Sequence, residues 1–124
     1  MARVVHLAMK VDDIDKASAF LCNVFGFKQI TVPGLRSTAR YVTDGTVHVA
    51  INQLGGRREQ PDEKEGAPCI DHFGLEVEDL AHYSADLNRH GCETVSQPGR
   101  PLRVRTPGGL CLELVPKGGK PGID

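Results

Sequence analysis

The chain has no CxxC pair, no long apolar run and no excess of charge of either sign. Its four cysteines, Cys22, Cys69, Cys92 and Cys111, stand far apart in the sequence. That spacing suits reduced, mostly buried thiols of a cytosolic protein and excludes a dense disulfide framework. A formal net charge of -1 is the opposite of the basic footprint that nucleic-acid binding requires. No apolar stretch approaches the length of a membrane span. Met1-Ala2-Arg3 leads straight into a strand pattern with no secretory h-region, so a cytoplasmic protein is expected. What remains is ordinary for a soluble globular chain. At 124 residues, with 40% apolar and 25% charged residues, it fits one domain able to bury a real core.

An internal echo organises that domain. Ile70-Asp71-His72-Phe73-Gly74-Leu75-Glu76-Val77-Glu78-Asp79-Leu80 repeats the form of Val5-His6-Leu7-Ala8-Met9-Lys10-Val11-Asp12-Asp13-Ile14. With His72 set over His6, Phe73, Leu75 and Val77 fall on Leu7, Met9 and Val11, and Glu78-Asp79-Leu80 falls on Asp12-Asp13-Ile14. Each copy reads strand, acidic turn, helix. Repeats of this kind are supersecondary units that bury their apolar faces only together.

In the first copy Val5, Leu7, Met9 and Val11 alternate as one apolar face, leaving His6, Ala8 and Lys10 on the other. Asp12 or Asp13 caps a helix to about Phe25, with Ile14, Ala17, Leu21, Val24 and Phe25 as its stripe and Gly26 as its stop. Phe27 to Val32 reads as a strand before a Pro33-Gly34 turn. Ser37 to Thr43 is another, and Asp44-Gly45 signals a hairpin. Val47, Val49 and Ile51 alternate in a fourth strand, which puts His48, Ala50 and Asn52 on its opposite face.

The second copy keeps this order. The strand through His72 precedes a helix from about Asp79 to His90, with Leu80, Tyr83 and Leu87 as its buried stripe and Gly91 as its end. Cys92 to Val95 and Leu102 to Arg105 are short strands. After the Thr106-Pro107-Gly108-Gly109 turn, Leu110, Leu112 and Leu114 alternate against Cys111, Glu113 and Val115. The expected division is therefore module one over 1–53, a charged connector over 54–68 and module two over 69–116. A frayed tail covers 117–124. The expected fold class is α+β: two tandem βαβββ modules whose sheets form a curved cup, with the helices on the outer faces.

By alternation alone His6, His48, His72 and Glu113 share the face away from the helices. A lone strand histidine is usually structural, and a lone glutamate in Leu112-Glu113-Leu114 ordinarily meets solvent. Here His6 and His72 occupy matching repeat positions and Glu113 joins their face. Two imidazoles and a carboxylate suit a divalent ion, with Fe(II) favoured and Mn, Ni, Co or Zn possible, and three ligands leave open positions. Lys10 and Arg103 read either as rim groups for an anionic substrate or as solvated surface. Cys111 reads as a small apolar residue before it reads as a soft ligand or a reactive thiol. Arg57-Arg58 and Glu63-Lys64-Glu65 read as solvated loop.

The motifs His6-Leu7-Ala8-Met9-Lys10-Val11-Asp12-Asp13, Ala19-Phe20-Leu21-Cys22-Asn23-Val24-Phe25-Gly26-Phe27, Asp71-His72-Phe73-Gly74-Leu75-Glu76-Val77 and Thr106-Pro107-Gly108-Gly109-Leu110-Cys111-Leu112-Glu113-Leu114 resemble the vicinal-oxygen-chelate superfamily. That superfamily includes glyoxalase I, extradiol dioxygenases, methylmalonyl-CoA epimerase and the fosfomycin and bleomycin resistance proteins. The resemblance implies metal ligands at His6, His72 and Glu113, and a homodimer. It puts a fourth ligand of the glyoxalase I branch at Ala50, which cannot bind metal. It puts an acid-base histidine of the extradiol dioxygenases near His48, and a tyrosine of theirs where this chain has Arg103.

The implied function is a metal-dependent enzyme acting on a small molecule held through neighbouring oxygens, dioxygenase-like first and glyoxalase- or epimerase-like second. A non-catalytic binding or antibiotic-resistance protein is the reading from another class. His48 is the expected proton-moving residue, and neither nucleic acid nor membrane is an expected partner.

Overall fold

The computed structural model describes residues 2–34, 37–55 and 67–119. Most of the connector expected over 54–68, and the chain beyond Gly119, lie outside the described residues. The chain divides into two compact units. One is His6–Asp71; the other joins the residues up to Val5 to the chain from His72 onward.

The first unit holds strand β1 (Arg3–Val11) from His6 on, helix α1 (Ile14–Phe25), β2 (Lys28–Gln29), β3 (Ala39–Thr43) and β4 (His48–Gln53), with its strands ordered β2-β3-β4-β1. β1 runs parallel to β4, pairing His6 with His48 and Ala8 with Ala50. β3 runs antiparallel to β4, pairing Tyr41 with Ala50 and Thr43 with His48. The expected alternation holds. Val42, Val49 and Ile51 are buried toward α1, where Ile14 joins them and Leu7, Met9, Val11, Ala17 and Leu21 pack around them. On the opposite face Ala8, Tyr41 and Ala50 form a second cluster with Ile30 and Val32.

Local chemistry fixes α1 at both ends. Asp13 adopts an extended backbone, and its side chain accepts from the Lys16 N–H at 3.0 Å. Gly26, at φ 74°, donates to the Cys22 carbonyl, and the next N–H, of Phe27, reaches the Leu21 carbonyl. A left-handed residue with these two bonds satisfies carbonyls that the helix end leaves open. The apolar stripe is shorter than expected. Val24 is 57% and Phe25 64% exposed, because the helix has run past the core by its last turn. Phe27, just beyond the cap, packs there instead, and Phe25 rests edge-on against Phe20 at 5.7 Å. The strand expected over 27–32 is reduced to Lys28 and Gln29, with one further ladder bond from the Ile30 N–H to the Tyr41 carbonyl at 2.9 Å. Ile30 and Val32 pack on the second cluster.

The second unit holds β5 (Cys69–Val77) from His72 on, α2 (Leu80–Arg89), β6 (Glu93–Thr94), β7 (Leu102–Arg105) and β8 (Cys111–Pro116), ordered β5-β8-β7-β6. It repeats the first unit: β5 is parallel to β8 and β7 antiparallel to β8. Asp79 caps α2 as Asp13 caps α1, accepting from the His82 N–H at 3.0 Å. Both units are thus βαβββ modules, and the α+β class stands.

The helices differ in how they pack. No residue of α2 is buried, so the stripe of Leu80, Tyr83 and Leu87 is only half-buried. A hollow of about 440 Å³ lies beside it, lined by Ala81, Ser84, Leu87, Asn88, Cys92 and Val104 among others. Two further expectations are corrected. None of the cysteines is buried, and Cys69 is exposed, since its strand begins there at the edge of the core. Residues 117–119 are tied down rather than frayed. The Lys117 N–H donates to the Val77 carbonyl at 2.9 Å, and Lys117 Nζ lies 3.3 Å from Glu78 Oε1.

These packing differences have a measurable consequence. Ile51 has no exposed surface, so Ile51→Ala is expected to cost about 2–5 kcal/mol. Leu87→Ala, on the half-buried helix, is expected to cost less. Denaturant unfolding of both variants checks the ranking.

Candidate metal centre

Glu113 is carried by β8, whose residues alternate between the α2 side and the opposite face. Leu112 pairs with Val104, which lines the hollow beside α2. Glu113 therefore faces away from the helix. It is fully buried, at 0% exposure. On one side it pairs with Gly74 of β5, on the other with Arg103 of β7. His72 precedes Gly74 by one step on the same face. Its Nε2 lies 3.5 Å from Glu113 Oε2, with side-chain exposures of 3% and 0%.

The separation has a chemical meaning. It is long for a hydrogen bond. Two atoms each about 2.1 Å from one ion stand roughly 3.0–3.4 Å apart at octahedral or tetrahedral angles. The pair is thus close to the spacing of two ligands on one ion. Imidazole nitrogen and carboxylate oxygen are both accepted by Fe(II), Mn and Zn. A buried carboxylate is costly unless it is paired or holds a metal, so the residues present fit such an ion.

His6 lies in the other unit. It is 1% exposed, and its ring stacks against Tyr41 with centroids 6.4 Å apart and planes 22° apart. Sequence reading gave Tyr41 no role. The parity of β3 carries the signal, because Tyr41 falls on the face of Ala8 and Ala50. His48 pairs directly with His6 but is exposed. The turn before it holds it in place. Asp44 Oδ1 accepts from the N–H groups of Thr46 and Val47 at 2.7 and 2.8 Å. Those bonds, Val47's first, hold the Asp44 carboxyl below its ordinary pKa.

The two ladders share one register. Ala8 pairs with Ala50 in module one, as Gly74 pairs with Glu113 in module two. Gly74 stands where Ala8 stands in the repeat, so Ala50 occupies the Glu113 position, as aligning the two halves implies. The carboxylate is present in one copy and replaced by a methyl in the other.

Lys10 and Arg103 are both corrected away from a solvated surface. Lys10 is 8% and Arg103 7% exposed. Lys10 Nζ lies 3.7 Å from Asp71 Oδ1, both side chains being largely buried. Such pairing is what lets a lysine leave water. Cys111 is half-buried and shares the face of Glu113. The Arg57-Arg58 and Glu63-Lys64-Glu65 runs lie outside the described residues.

Comparison with known proteins agrees with this architecture. A family model described as the Glyoxalase/Bleomycin resistance protein/Dioxygenase superfamily matches residues 3–114. No curated protein matches at a significant level. Among solved structures, an Mn(II)-bound glyoxalase from Novosphingobium aromaticivorans superposes with a TM-score of 0.70 at 19% identity. The match covers 97% of this chain and 41% of that one. The 2,3-dioxygenase LapB from Pseudomonas sp. KL28 gives 0.64 at 21% identity, covering 98% and 42%. Methylmalonyl-CoA epimerase from Mycobacterium tuberculosis gives 0.62 at 16%, covering 95% and 88%. This chain therefore spans about two fifths of the glyoxalase and of the dioxygenase. At these identities the likeness is one of fold.

Proposed function

The chain belongs to the Glyoxalase/Bleomycin resistance protein/Dioxygenase superfamily, and from that premise we propose that it is a metal-dependent enzyme using His6, His72 and Glu113 as ligands. Its substrate is a small molecule bound through two neighbouring oxygens. The observation that carries the reading is the buried His72–Glu113 pair at ligand spacing. Support comes from His6, which is equally buried and stands at the matching repeat position. The donor set suits Fe(II) first, with Mn, Ni, Co or Zn accommodated. Such an ion, when bound, supplies Lewis-acid stabilisation of negative charge on the two substrate oxygens.

The chain's own residues do the rest. His48, paired with His6 in the ladder and open to solvent, takes and returns a proton at an imidazole nitrogen. Ala50 supplies no fourth ligand, which favours the three-ligand, dioxygenase-like reading. Arg103, where the ring-cleaving branch carries a tyrosine, favours a second reading: proton transfer of the glyoxalase or epimerase kind. Oxygen uptake with Fe(II) separates the two. A homodimer belongs to the same proposal. β2 and β6 end their sheets as short strands, and Phe20, Val24 and Phe25 are exposed together on α1.

Three outcomes are expected. His72→Ala and Glu113→Ala each lose stoichiometric metal, measured on protein purified without chelator, and keep a folded circular-dichroism spectrum. Full metal occupancy in either variant would exclude this triad. His48→Ala keeps its metal and loses roughly 10²–10⁴ in turnover; loss of metal would instead make His48 a ligand. Light scattering at micromolar concentration gives the mass of a dimer, and a monomer mass would count against the pairing.

A further inference from the structure

The two modules set different groups beside their buried histidines. In module two, Glu113 pairs with Gly74 in the ladder, and its carboxylate meets His72 at 3.5 Å. In module one the matching row reads Ala8, Ala50, Tyr41, and all three residues are buried in one apolar cluster. His6 stands one step before Ala8 on the same face, as His72 stands before Gly74. The ring that stacks on His6 is that of Tyr41, with centroids 6.4 Å apart and planes 22° apart.

That contact crosses a strand. Neighbouring strands are about 4.7–4.9 Å apart, so β3 and β1, with β4 between them, stand about 9–10 Å apart. Centroids at 6.4 Å therefore require the two rings to lean toward each other over β4. Ala50, the direct partner of Tyr41 there, offers only a methyl beneath them. Ala8, next in the row, is equally small. Ile30 and Val32 pack on the same cluster. The spacing and tilt are those of an offset aromatic pair.

We propose that Tyr41 is a positioning residue of the metal site: its ring sets the plane of the His6 imidazole and fills the place that a carboxylate at position 50 would take, so the site is held at three protein ligands. The inference rests on the metal reading above. Its first half follows from how ligands are oriented. A group that touches a ligand without touching the ion fixes the ligand's direction, and its loss weakens metal binding. Its second half is steric. A glutamate at position 50 would reach toward His6 as Glu113 reaches toward His72, and in module one that direction is taken by the ring. A close-packed cluster does not admit an added carboxyl without displacing a neighbour. Three ligands leave the other positions of an ion to water or substrate, so Tyr41 governs how many stay open.

Calorimetric titration of the full chain with Mn(II), on protein purified without chelator, tests both halves. Tyr41→Leu removes the ring and is expected to weaken Mn(II) binding about 3- to 10-fold, the contribution of one aromatic pair. Tyr41→Met serves if the leucine variant fails to fold. Tyr41→Phe keeps the ring and is expected to restore wild-type affinity. Ala50→Glu alone is expected to bind Mn(II) no more tightly than wild type. Tyr41→Leu combined with Ala50→Glu is expected to bind it more tightly than Tyr41→Leu alone, a gain that a merely structural tyrosine does not produce. Unchanged affinity in Tyr41→Leu, equal weakening in Tyr41→Phe, a gain from Ala50→Glu on its own or no gain in the double variant overturns the role of Tyr41 and leaves the metal reading standing. A wild type that binds no Mn(II) overturns both.

Discussion

A buried carboxylate has to be compensated, and much of module two follows from that one requirement. Glu113 has no exposed surface, and His72 approaches it to 3.5 Å. Leu112 and Leu114 hold its strand against the helix side, so the carboxylate has one direction in which to point. The price of burying it is acceptable only where a cation, a histidine or a metal meets it. Structural economy alone would place an apolar residue there, as module one does with Ala50.

That contrast separates what the βαβββ unit needs from what this chain adds. Both modules use an aspartate N-cap, a parallel first-to-last strand pairing and an antiparallel hairpin beside it. Module one completes its core with Val42, Val49, Ile51 and a well-seated α1. Module two seats α2 loosely over a hollow and commits its opposite face to His72, Glu113 and Arg103. Each module buries a histidine at the matching position, but the buried carboxylate and guanidinium of module two stand where module one carries Ala50 and Tyr41.

Much of this was legible in the residues. Alternation in Val5 to Val11 and Leu110 to Val115 assigned the faces of His6 and Glu113, because strand side chains repeat every two residues whatever surrounds them. Asp13, Asp79 and Gly26 marked helix ends through bonds made within a few residues. Aligning the two halves put Ala50 on Glu113, and the ladders share that register. What escaped depends on distant partners. Burial of Lys10 needs Asp71 beside it, and periodicity carries no sign of that. Val24 and Phe25 fit the helical period but lie past the end of the core. β2 and β6 shrink to two residues each, with one further backbone bond beyond each, from Ile30 to Tyr41 and from Val95 to Arg103, a limit that alternation does not mark. The stacking of Tyr41 on His6 required knowing which strands adjoin.

The central claim is a ligand set of two imidazoles and one carboxylate with no thiolate. X-ray absorption at the zinc edge, on protein loaded with one equivalent of Zn(II), tests it most directly. The account predicts a nitrogen and oxygen shell at about 2.0–2.2 Å, the multiple-scattering signature of two imidazoles, and no sulfur at about 2.3 Å. A sulfur shell, pointing to Cys111, or a site without two imidazoles would contradict it.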